Sequence, residues 1–198
     1  MPKISADNLD EHRSQVQQRI FEALAELMDE RSFDAISMAQ IAAKAGLGRT
    51  AIYHHFSDRE AVVVAFASHE TAQYLERLRA DLDEVASPVE KMRTYVHHNL
   101  TTGEQFHVGL GPMLSGRLSP ASLLEIREHV MAVEGVLRDI VRAGVTSGDF
   151  VVTDERATMT MIHACLGARQ LPGSEIERFV LGGLGATMQG KHPLAEES

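Results

Sequence analysis

Residues 37–56 read SMAQIAAKAGLGRTAIYHHF, and the fold follows from how this stretch is parsed. Ser37 can cap a helix while Gln40, three residues on, bonds back to it, the pattern of a capping box. Ile41, Ala42 and Ala45 then recur at helical spacing. Gly46 stops that helix, and Gly48 follows after a single apolar residue, Leu47. Ile52, Tyr53 and Phe56 mark the apolar side of a second short helix. Two short helices across a tight glycine turn make a helix-turn-helix, whose second helix enters the major groove of DNA. The small side chains of Ala39, Ala42, Ala43 and Ala45 let the second helix cross the first closely.

On the N-terminal side, Val16, Ile20, Leu24, Leu27 and Met28 form one apolar stripe, which predicts an amphipathic helix over about Leu9–Glu30. Phe33 and Ile36 fill the gap between it and the Ser37 helix. On the C-terminal side, Ser57 and Glu60 have the spacing of a second capping box, opening a helix to about Glu84 without Pro or Gly. Ser87-Pro88-Val89-Glu90 starts another, with Val89, Met92, Val96 and Leu100 inward. Residues 103–116 are glycine-interrupted and read as a short helix with irregular flanks. Ser119-Pro120 opens a helix to near Gly144 whose wide apolar stripe, Leu123 to Val141, predicts heavy burial. Gly148-Asp149-Phe150 is a turn. Thr153 or Asp154 starts a helix to about Leu171, and a Ser174/Glu177 capping box opens a last one to about Gly190. Almost nothing reads as strand, so the count is about nine helices in an all-α protein.

The totals narrow the function. The net charge is −9, and residues 1–60 carry seven Lys and Arg against ten Asp and Glu. That argues against indiscriminate nucleic-acid binding and for a small, focused basic face. No apolar run approaches the ~18 residues of a membrane helix, and the polar, acidic N-terminus is unlike a secretory signal. Cys165 is the single cysteine, which excludes a disulfide framework and fits a reducing cytoplasm.

From Ile41 onward, IAAKAGLGRTAIYHHFSDREAV, preceded by the amphipathic helix and Phe33, resembles the N-terminal domain of the TetR family of bacterial transcriptional regulators, over roughly residues 12–66. Ile41-Ala42, Ala45-Gly46, Ile52-Tyr53, His55-Phe56 and Asp58-Arg59-Glu60 all stand at the family's spacings. The resemblance implies a helix-turn-helix DNA-binding domain over 1–57 and an effector-binding and dimerisation domain over 58–198. The whole would be a cytoplasmic homodimer, most simply a repressor released from a near-palindromic operator by a small, moderately hydrophobic effector. Two departures stand out. Ser32 occupies a place usually held by Gly, which costs ~1 kcal/mol if that position needs φ > 0. Gly48 replaces the usual Ser or Thr at the start of the recognition helix, losing a cap and a hydroxyl for phosphate.

Arg49 begins the recognition helix, where Arg can pair with guanine; Thr50 can meet bases and Ala51 allows close approach. The resemblance places Tyr53 and His55 on the sugar-phosphate backbone, His54 in the groove and Arg59 on a phosphate; Ser37 and Lys44 are further candidates. The plainer alternative leaves Arg49 and Arg59 as solvated charges in an α-helical small-molecule binding protein that no longer binds DNA. Met92, Tyr95, Phe106, His107, Met113 and Met131 lie on segments that in the family enclose an effector pocket. Ala164, Gly167, Ala168, Phe179, Gly182, Gly183 and Ala186 suit close helix packing across a two-fold axis, since glycine within a helix costs ~1 kcal/mol against Ala. Neither a metal nor a cofactor is implied: His97 and His98 point about 100° apart on a helix and His163 and Cys165 about 200° apart, so neither forms an i, i+4 clamp. P-loop, GxSxG and HExxH motifs are absent, which argues against an enzyme.

Overall fold

A computed structural model describes residues 6–102, 116 and 118–186. Among them are seven α-helices: α1 (Ala6–Glu30), α2 (Met38–Lys44), α3 (Arg59–Asp83), α4 (Pro88–Thr102), α5 (Pro120–Ser147), α6 (Glu155–Leu166) and α7 (Gly173–Gly183). Two short 3-10 turns, Phe33–Ala35 and Ile52–His54, complete the described elements, and no strand occurs among them. The difference from the expected count has two sources. The second helix of the motif is a 3-10 turn, and the short helix expected over 103–116 lies outside the described residues save Gly116.

The described parts of residues 1–71 and 107–130 form one compact unit, and those of 72–106 and 131–198 form another. Helices α3 and α5 each contribute one end to each unit. The first unit is built on the predicted stripe of α1: Ile20 and Leu24 are fully buried, Val16 and Leu27 nearly so. They share one apolar cluster with Phe33, Ile36, Ile41, Ile52, Phe56, Val62 and Val63. Fully burying a side chain of this size contributes ~1.5–3 kcal/mol.

The α2 helix carries the start signal expected of it. The Ser37 hydroxyl accepts from the Gln40 backbone N–H at 3.3 Å, and the Gln40 side chain accepts from the Ser37 N–H at 2.8 Å. At the other end Gly46 takes φ +68°, while Leu47 N–H donates to the Ala42 carbonyl at 2.8 Å and Gly46 N–H to that of Ala43 at 3.2 Å. This is a Schellman stop, in which the left-handed residue is glycine because a Cβ is strained there. Ser32, by contrast, sits at φ −63° and ψ 148°. Its backbone is ordinary, so Ser in place of Gly carries no strain.

Several start signals are displaced from their predicted form. Asp58, and not Ser57, caps α3, its carboxylate accepting from the Ala61 N–H at 2.8 Å. Glu60 instead accepts from the Ser119 N–H at 3.0 Å and the Ser122 hydroxyl at 2.9 Å. Those bonds, the Ser119 N–H first, hold its carboxyl below the usual range. Helix α7 begins after Pro172, whose side chain has no acceptor to cap with, and Glu177 of the expected capping box pairs instead with Arg93 of α4. Helix α5 is less buried than its sequence suggests: Ile126, Val133, Leu137, Ile140 and Val141 face inward, but Leu124, Val130 and Met131 are exposed. A stripe that wide exceeds what one packed face can cover. Gly46→Ala should lower the unfolding free energy by ~1 kcal/mol, read as a shift in urea midpoint at constant slope.

Candidate nucleic-acid interface

The segment after Gly46 is held in place by short-range backbone bonds. Ala51 N–H donates to Gly48 O at 2.9 Å, Tyr53 to Thr50 at 3.2 Å, His54 to Ala51 at 3.1 Å and His55 to Ile52 at 3.0 Å. Such i→i+3 closure is the 3-10 pattern. Two features explain why it is not an α-helix. The element has no side-chain cap, Gly48 supplying none, and Thr50, Ile52 and Tyr53 lose rotamer freedom in an α-helix. Ile52 and Phe56 are buried beneath it, and the Phe21 ring of α1 lies 6.0 Å from that of Phe56.

Arg49, Thr50, Tyr53 and His54 are exposed together on this element, with Ala51 and His55 half-buried beside them. Tyr53 leaves 50% of its surface open, unusual for a ring that merely packs. Burial first, then the charge of Arg13, pushes the His55 imidazole below its usual value. Its Nδ1 is buried without a hydrogen-bond partner.

Two expected contact residues are occupied otherwise. Lys44 Nζ lies 2.8 Å from Glu26 and 2.7 Å from Glu30 of α1, and bonding to Glu26, then Glu30, raises its pKa. Arg59 Nη1 donates to the carbonyls of Phe33 (2.9 Å), Asp34 (3.3 Å) and Ile36 (2.8 Å), and its guanidinium carbon sits 4.1 Å from the Phe33 ring centre. Lys44 thus ties α2 to the end of α1, and Arg59 ties the start of α3 to the 3-10 turn and Ile36 that follow α1. Ser37 is engaged as the α2 cap. Their positioning role was invisible in sequence because the partners stand 14 to 26 residues away.

In the second unit, Met92 and Tyr95 are fully buried on α4, whereas Met131 is 56% exposed on α5; Phe106, His107 and Met113 lie outside the described residues. Burial pushes the Tyr95 hydroxyl upward in pKa, and it has no hydrogen-bond partner. Ala164, Gly167, Phe179, Gly182 and Gly183 are exposed along α6 and α7 and Ala168 is half-buried, but Ala186 is buried within its own chain. A Cβ at Gly182 or Gly183 would meet nothing within 4 Å, so nothing in this chain requires glycine there. Sequence reading missed Met161, 59% exposed one turn before Ala164 on α6; the i, i+3 spacing from Ala164 is the signal that would have found it.

The sequence profile of the "Bacterial regulatory proteins, tetR family" matches residues 20–66, the stretch that carries this geometry. Over those residues the chain carries a TetR-family DNA-binding domain. Among its relatives is the "Fatty acid metabolism regulator protein" of Bacillus subtilis (strain 168), 25% identical over 134 residues that make up 66% of this chain and 69% of the relative. PfmR, a TetR-family transcriptional regulator of Thermus thermophilus, has a solved structure 26% identical in sequence, with TM-score 0.69 over 85% of this chain and 98% of that one. The transcriptional regulator FadR of Bacillus subtilis, solved in complex with stearoyl-CoA, superposes with TM-score 0.72 at 19% identity, over 84% of this chain and 98% of its own; at that identity the likeness is one of fold.

Arg59→Ala should cost the free protein roughly 1–2 kcal/mol, since three carbonyls lose a charged donor and the contact with Phe33 goes with them. A thermal melt without DNA checks this; an unchanged melting temperature would return Arg59 to the role of a free phosphate ligand.

Proposed function

We propose that this protein is a dimeric, ligand-responsive transcriptional repressor that reads a near-palindromic operator through Arg49–His55. The observation that carries the reading is the Arg49 side chain, exposed and without an ion pair among the described residues, at the head of an element whose other face is buried. It is available to base edges, where a bidentate Arg–guanine pair discriminates by ~1–3 kcal/mol. Thr50 and His54 flank it in the groove, and Tyr53 and His55 meet the backbone. Lys44, Ser37 and Arg59 hold the element in position. In a dimer the two elements would address half-sites ~34–36 Å apart, or a multiple of that.

The effector class follows from the relatives. One is named for fatty acid metabolism and a fold neighbour holds stearoyl-CoA, so an acyl-CoA thioester is the proposed ligand of the second unit. Helix α3 runs unbroken from Arg59 to Asp83, and a ligand that binds the two states of that helix with different affinity shifts the equilibrium between them. A coupling of ~1–3 kcal/mol is sufficient. The exposed face with Met161, Ala164, Phe179, Gly182 and Gly183 supports dimerisation, because an apolar surface with room for close backbone approach suits a two-fold helix packing.

The acidic balance of residues 1–60, with Lys44 and Arg59 already engaged, favours a second reading: a helical sensor that no longer binds DNA. A gel shift on genomic fragments separates them. Wild type should retain a discrete set of fragments and release them on adding stearoyl-CoA, with Arg49→Ala binding roughly tenfold or more weakly at unchanged dimer mass; retention of no fragment would establish the second reading. Phe179→Arg should shift sedimentation from dimer to monomer, and a dimer that persists would move the interface elsewhere.

A further inference from the structure

Charge is unevenly committed in the first unit. Of the described Lys and Arg residues before α3, Arg31 pairs with Glu30 and Lys44 with Glu26 and Glu30. Arg13, Arg19 and Arg49 make no ion pair among the described residues and are exposed. Arg13 is not isolated. It lies on α1 three residues before the buried Val16 and two turns before Phe21, whose ring meets Phe56 at 6.0 Å. Val16, one turn on from Arg13, shares one buried cluster with Ile52 and Phe56 of the Arg49–His55 element and its end. Arg13 and His12 of α1, with His54, are the charged groups acting on the His55 ring. His12, Arg13 and His54 are all exposed. Glu11, the nearest described acid in sequence, projects about 160° round the helix from Arg13.

We infer that the DNA-binding surface extends beyond the helix-turn-helix onto α1, where Arg13, supported by His12, grips a backbone phosphate next to the one met by Tyr53 and His55. The chemistry is that of a phosphodiester oxygen: an exposed guanidinium with no ion pair among the described residues, and imidazoles beside it. A phosphate contact of this kind fixes register on the duplex and carries no base information. It adds one cation to a face that otherwise rests on Arg49. This inference rests on the DNA-binding reading above.

The test uses full-length protein and a duplex selected from a random-sequence pool against the wild type. Binding is measured by fluorescence anisotropy across a series of salt concentrations for wild type, Arg13→Ala, Arg13→Lys and Arg19→Ala. Arg19 is the control: it has the same charge and exposure on the same helix, but stands ~9 Å further along and about 120° round. Loss of one phosphate contact should reduce the slope of log K against log salt by about 0.9 in Arg13→Ala, with Arg13→Lys retaining most of it and Arg19→Ala unchanged. An equal loss in Arg13→Ala and Arg19→Ala would overturn the inference, since that is the signature of a diffuse field. An unchanged slope in Arg13→Ala would overturn it as well. Wild type that selects no duplex at all would instead remove the DNA-binding reading, and the inference with it. Melting temperatures of the variants without DNA should match wild type, because neither arginine is packed.

Discussion

Everything about the recognition element depends on its burial against α1. Helix α2 has seven residues and the turn that follows has three, and isolated helices shorter than ~12–15 residues are marginal in water. Neither can hold its shape alone. The apolar stripe of α1 supplies what they lack: Ile20 and Leu24 on one side, Ile41 and Ile52 on the other, all fully buried in one cluster. The exposed positions Arg49, Tyr53 and His54 are where they are because Ile52 and Phe56 cannot be anywhere else. The capping box at Ser37 and the left-handed Gly46 then fix where α2 begins and stops, which sets the angle at which the turn leaves it.

Around that core, charge is partly committed within the fold. A bare count of charge over residues 1–60 is unfavourable to DNA, yet many of the carboxylates are committed within the fold. Glu26 and Glu30 face Lys44, Asp58 caps α3, and Glu60 accepts from Ser119 and Ser122. The cations so used are equally withdrawn. What remains to act at a distance is the pattern of uncommitted groups, and at ionic strengths where fields decay within ~10 Å the local pattern outweighs the total. Binding by such a surface would be selective by default, because little of it is attractive without the right contacts.

The second unit adds polar links to its own buried apolar core. Helix α4 carries His98, nearly buried, whose Nδ1 lies 2.8 Å from Asp81 of α3 and whose ring meets Tyr74 edge-on at 4.9 Å. Arg93 of the same helix pairs with Glu177 of α7. Polar links to neighbouring helices orient α4 at points where apolar packing alone would leave it free to rotate. The Tyr95 hydroxyl and the His98 Nε2 remain buried without partners, a cost of ~1–3 kcal/mol each that most folds avoid.

Helix limits and the nature of the motif were legible in the chain because their causes are local. The periodicity of Val16 to Leu27, the Ser37/Gln40 pair and the glycine at 46 act within a few residues, and the structure places them as read. The same locality explains the misreadings. Ser57 and Glu60 have capping-box spacing, but Glu60 finds the backbone of Ser119; Ser174 and Glu177 have it too, but Glu177 finds Arg93. The Gly48 segment reads as a helix by its apolar spacing, while its uncapped start leaves it a 3-10 turn. Arg59 and Lys44 look like phosphate ligands by position, and their contacts within the chain add a bracing role that sequence did not show. Sequence alone determined that the chain is helical, where α2 and α3 lie and which face of α1 is apolar. Tertiary structure alone decided that Lys44 reaches Glu30, Arg59 the Phe33 carbonyl and Arg93 Glu177, because those groups are brought within reach from 14 to 84 residues away.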